Sequence, residues 1–158
     1  MQGPPTLTSS RARSVVLLLV ATVVLGLVLV IAFDPGVQTL DAQELVDRKD
    51  DARAFLIADL FFIAVYAVLS PLAIWRFGSA LGGGSPPAWI KAAAIFLAAA
   101  GIADVTENVL LLSAAGSISE GAVDAAHVAA IPKVVLFIVG AALAIAVNVR
   151  AIRTLRAG

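Results

Sequence analysis

Asp104, Glu107 and Asn108 lie three and four residues apart in one apolar stretch, so Asp104 shares a helix face with either neighbour. Asp59 and Tyr66, two helical turns apart, share a face in a second stretch, and Lys133 is the only basic residue inside a third. Carboxylates crowded together in a low dielectric do not all ionise. At least one is expected to keep its proton near neutral pH and serve as an acid, with Lys133 holding a partner carboxylate ionised as a base. Lys133 also has the charge to bind an anionic head group. Asp59, Asp104, Glu107 and Lys133 are therefore the candidate catalytic residues. Tyr66, Asn108 and His127 are candidates for orienting a polar group of a ligand. Asp59, Asp104, Glu107 and His127 include hard oxygen donors, but no spacing of the His-Glu-x-x-His kind accompanies them, so neither metal nor cofactor is expected.

The elements that must position these groups follow from composition. The chain has 158 residues, 61% of them hydrophobic and only 14% charged, against about 45–50% apolar and about 25% charged in a soluble domain. Mean hydropathy is +1.01. A spanning helix needs about 20 mostly apolar residues, and four stretches supply them: 14–33, 54–75, 89–112 and 131–149. The expected fold is all-α, a single four-helix transmembrane bundle. The first stretch exceeds a signal-peptide core and ends in a poor cleavage site, Val30-Ile31-Ala32-Phe33, so it is read as a retained crossing. Pro132 is placed in the first turn of the fourth crossing, where a missing N–H is tolerated. Pro71 is expected to kink the second.

Between the first two crossings, segment 37–53 is the only strongly charged part of the chain. Asp41 with Glu44 three residues later has capping-box spacing. The segment reads either as a solvated extension of the second crossing or as an extracytoplasmic amphipathic lid. Gly82-Gly83-Gly84-Ser85-Pro86-Pro87 is a loop, and with no Lys-Ser/Thr pair after it, it is not a phosphate cradle. Gly78, Gly101, Gly116 and Gly140 are read as sites of close helix packing.

Charge fixes the expected orientation. Arg11, Arg13, Arg76, Lys91, Arg150, Arg153 and Arg156 fall on one side of the bundle, which places both termini in the cytoplasm. Asn148 and the nearby arginines read as an anionic-lipid contact. Eleven basic and eleven acidic residues cancel, and no basic stripe marks a nucleic-acid partner. Cysteine is absent, which removes thiol redox chemistry and thiolate metal sites. Arginine over lysine, with abundant Ala, Val and Gly, is the usage of a GC-rich genome, so the expected location is a bacterial cytoplasmic membrane.

At 1.5 Å per residue, Asp59, Asp104, Glu107, Asn108 and Lys133 all fall about 5 to 10 Å from the midplane, in the outer half. A charged group in hydrocarbon costs at least about 2.5–3.5 kcal/mol, so these groups should face the bundle interior. Three acids against one lysine exceed what pairing requires, and this favours a functional pocket over a purely structural network. The preferred expectation is a site for a lipid-like or amphiphilic ligand, with acid/base chemistry on it. An oligomeric proton- or cation-coupled transporter is the second reading. It is weakened because, below the polar layer, only Tyr66 and Asn148 could conduct a proton. An accessory subunit, bound to another membrane protein, is the third.

Overall fold

The computed structural model describes residues 5–33, 35–116 and 118–156, all helix, turn or loop with no strand among them. Helix α1 spans Pro5–Ala32. A 3₁₀ turn, Pro35–Thr39, and the short α2, Ala42–Asp47, lead into α3, Lys49–Ile63. Its axis continues through a π-helical stretch, Ala64–Leu69, into α4, Ser70–Leu81. Helices α5, Ala88–Ala114, and α6, Glu120–Arg156, complete the chain. Four helical segments, Ser9–Ala32, Lys49–Leu81, Ala88–Ala114 and Glu120–Arg156, are long and apolar enough to cross a membrane. This is consistent with a multi-pass membrane protein.

The segments pack in a ring: α1 lies against α4 and α6, and α5 against α3, α4 and α6. Small residues set the closest approaches. A Cβ on Gly101 would overlap the Cβ of Ala67, and one on Gly140 would stand 3.0 Å from the Leu97 main-chain nitrogen. Gly78 is similarly confined by Ile90 and Pro86, whereas Gly116 has no such neighbour. Outward faces are apolar: Leu17, Val24, Phe61, Ile102, Val135 and Ile145 are all exposed. Three polar residues of α5 turn inward instead, with Asp104, Glu107 and Asn108 buried while Val105 and Val109 are exposed.

Segment 37–53 is divided rather than uniform. Residues 49–53 extend the second long segment, while the part before them folds back over one end of the bundle. Asp41 caps α2, its carboxylate accepting the Glu44 N–H at 2.8 Å. Val37, Ala42 and Leu45 are buried there against Leu56, Leu111 and Ala126. Pro132 is not in a first turn. It lies well inside the 37-residue α6, because Val123 and Ala126 join the end cluster and carry the helix on beyond the apolar run. Such a proline is tolerated in an apolar helix where neighbours re-satisfy the freed carbonyl. The π-helical stretch ends at Leu69, two residues before Pro71, which has no N–H to continue the regular ladder.

Two apolar clusters form the core, one around Leu45, Leu56 and Leu111, the other around Ile63, Phe77, Leu97 and Val147. Between them, Asp59 on α3, Asp104, Glu107 and Asn108 on α5 and Lys133 on α6 form a polar layer. Among the described residues, the acidic ones belong to this layer or to the end beyond it. The opposite end carries Arg11, Arg13, Arg76, Lys91, Arg150, Arg153 and Arg156. The molecule thus has an acidic end and a basic end.

Candidate functional site

The polar layer is built from two connected sets of side chains. Lys133 Nζ lies 2.5 Å from Glu107 Oε2 and 3.2 Å from Asp104 Oδ1. Tyr66 donates its hydroxyl to the other Asp104 oxygen at 2.6 Å. In the second set, Asn108 Nδ2 donates to Asp59 Oδ2 at 2.8 Å, which leaves Asn108 Oδ1 buried without a partner. Asp104 and Glu107 receive the same ammonium because three residues on a helix bring them to neighbouring positions. Their side chains are 8% and 2% exposed, and that of Lys133 is 15% exposed. The pairing is therefore shielded from water and stronger than a surface ion pair.

Aromatic walls hold Tyr66 in place. Its ring centroid is 5.0 Å from that of Phe62 and 5.2 Å from that of Phe137, the latter edge-on. Beside the layer a cavity of about 570 Å³ opens between α1, α3 and α6. Val23, Leu27, Val30 and Ile138 form its apolar sides. Asp59, Tyr66, Asp104 and Lys133 reach it from the core, and Gln38 reaches it from the 3₁₀ turn.

Six of the seven residues singled out from sequence meet in this layer, and they divide into two kinds. Asp59, Tyr66, Asp104 and Lys133 line the cavity, whereas Glu107 and Asn108 stand behind it and hold Lys133 and Asp59. His127 does not join them: it is exposed on α6, six residues before Lys133, and lines no part of this cavity. Among the described residues, no three His, Cys, Asp or Glu side chains are grouped so as to hold a metal ion.

Asn148 also departs from expectation. It is buried, with Nδ2 donating to the Ala144 carbonyl at 2.9 Å, and so does not face a lipid head group. Rotation of α6 about its axis decides this, because Gly140, Ala144 and Val147 put that face against the core. Phe62, Phe137 and Gln38 were not foreseen. Phe62 lies four residues from Tyr66, a spacing that places them on one face, but nothing local in the sequence announces Phe137 or Gln38.

The arrangement combines a shared ammonium, a phenol and carboxylates at the edge of an apolar cavity, groups able to donate, accept and exchange protons with a bound polar group. Comparison with protein-family models, with curated proteins and with solved structures found no match.

Proposed function

We propose that the chain spans a bacterial cytoplasmic membrane with its basic end and both termini in the cytoplasm, and that the cavity at the polar layer binds an amphiphile. The observation that carries this reading is one cavity with apolar sides and four convergent polar groups, Asp59, Tyr66, Asp104 and Lys133. Its volume falls in the range of about 300–1,000 Å³ usual for small-molecule sites. An aliphatic portion would lie among Val23, Leu27 and Ile138, with the head group turned to the carboxylates.

The head group is expected to carry a hydroxyl or an ammonium. Lys133 already faces two carboxylates, so its charge is engaged within the layer. Asp59 adds a third carboxylate, and an anionic head would meet more negative than positive charge. Acid/base chemistry on such a head group would use Asp59 and Asp104, with Lys133 keeping a neighbouring carboxylate ionised.

Native mass spectrometry of the purified protein with its co-purifying lipids tests the reading, comparing wild type with Asp59→Asn and Asp104→Asn. The expected result is a specific amphiphile retained by wild type and lost from both folded variants. Identical bulk lipid in all three would overturn it.

A further inference from the structure

No acidic residue occurs in 1–33, 60–103 or 134–158, so between the polar layer and the basic end no side chain carries a negative charge. Within that half a cleft of about 500 Å³ lies between α1 and α4, and its lining changes with depth. Towards the basic end stand Ser10, Arg11 and Ser14 on α1 and Arg76 on α4. Leu18, Leu69 and Leu72 lie deeper. The two helices run in opposite directions. Counting up from Arg11 to Leu18 and down from Arg76 to Leu69 therefore leads in both cases seven residues into the apolar span, about 10 Å at 1.5 Å each. Leu69 and Leu72 are 47% and 51% exposed, which leaves the deep wall open to an acyl chain.

The charges at the mouth are positioned without being neutralised. Arg11 Nη1 donates to the Arg76 main-chain carbonyl at 3.4 Å, which draws the Arg11 side chain across from α1 to α4. Most of the N–H donors of that guanidinium remain for a ligand. Among the described residues, neither Arg11 nor Arg76 is paired with a carboxylate. Ser14 Oγ donates to the Ser10 carbonyl at 3.3 Å, while the Ser10 hydroxyl has no partner among the described residues. Guanidinium forks match the geometry of phosphate oxygens, and charge-assisted bonds of this kind are the strong ones. Arg13 and Lys91 lie at the same end of the bundle but line no part of the cleft.

We propose that this cleft binds one anionic glycerophospholipid, with its phosphate on Arg11 and Arg76 and one acyl chain along Leu18, Leu69 and Leu72. The leucines below the arginines favour a lipid over a free phosphate ion, which would use the mouth alone. A zwitterionic head group would bring its own cation beside two guanidinium groups with no carboxylate to receive it, so an anionic head is preferred. The proposal requires that the apolar segments lie in a bilayer. It holds whichever end faces the cytoplasm and is independent of the amphiphile at the polar layer.

The probes are dioleoyl phosphatidylglycerol and dioleoyl phosphatidylcholine, each added to delipidated protein in neutral micelles and followed by native mass spectrometry. Wild type should hold one phosphatidylglycerol at least about tenfold more tightly than phosphatidylcholine, and Arg11→Gln/Arg76→Gln should abolish that preference. Arg13→Gln/Lys91→Gln removes the same charge outside the cleft and should keep it. Equal loss in the two variants would reduce the effect to the net charge of the basic end and overturn the site. No preference in wild type, or an unchanged one in folded Arg11→Gln/Arg76→Gln, would overturn it as well. Inorganic phosphate in excess should leave the lipid in place; displacement would overturn the lipid assignment. A wild type without this preference that still retains an amphiphile at the polar layer would remove this inference and leave the proposed function standing. Selective binding of phosphatidylglycerol by a protein that retains no amphiphile would do the reverse.

Discussion

Lys133→Met is the substitution that most directly probes how the polar layer is held. It removes the one ammonium shared by Asp104 and Glu107 and leaves two carboxylates, 8% and 2% exposed, three residues apart. Removing one partner of a buried ion pair costs about 3–5 kcal/mol, because the charge left behind has lost its compensation. The Tyr66 hydroxyl still donates to Asp104 and limits the loss, so the lower end, about 3 kcal/mol, is expected. That is a large share of the roughly 5–15 kcal/mol that stabilises a typical domain, and folded yield should fall visibly. Glu107→Gln also removes a charge. In Lys133→Met/Glu107→Gln one of the two orphaned carboxylates is gone and the other, Asp104, keeps the Tyr66 hydroxyl as a donor, so the double variant should be more stable than the sum of the single losses by at least about 1.5 kcal/mol. The assay is reversible unfolding in mixed micelles, followed by helical circular dichroism for all four members of the cycle. Strict additivity, or a Lys133→Met protein as stable as wild type, would refute the shared-ammonium reasoning.

Asp59→Asn should behave differently. It changes a cavity-lining carboxylate held by one Asn108 hydrogen bond, so stability should fall by no more than about 1–2 kcal/mol while amphiphile retention is lost; denaturant midpoint and native mass spectrometry read the two separately. Gly101→Val places a side chain where even a Cβ overlaps Ala67, and should destabilise by about 3 kcal/mol or more through overpacking between α5 and the π-helical stretch, whereas Gly116→Ala, with no close neighbour, should change the unfolding midpoint little. Arg11→Gln/Arg76→Gln removes two guanidinium groups lining the cleft at the basic end, where Arg11 Nη1 also donates to the Arg76 carbonyl at 3.4 Å. The expected result is reduced co-purification of anionic phospholipid, with retention at the polar-layer cavity unchanged.

The sequence by itself determined the four apolar helices, because a run of about 20 apolar residues and a fixed rise per residue are local properties. It determined which end is acidic and which basic, and it placed Asp59, Asp104, Glu107, Asn108 and Lys133 at one level, since depth along a helix is counted in residues. The Asp41 cap was legible for the same reason. Tertiary structure alone decided how the helices rotate and which groups then meet. That Lys133 serves both Asp104 and Glu107, that Asn108 serves Asp59 and that Asn148 turns inward all depend on contacts between residues 26 to 49 positions apart or on the face α6 presents to the core. The cavities depend on how α1 lies against α3, α4 and α6. Pro132 inside α6 and the π-helical stretch before Pro71 belong here as well, because packing against neighbouring helices overrides the local tendency of proline to end one. Depth follows from counting residues along one chain segment; azimuth and pairing follow from the surfaces that the other segments present.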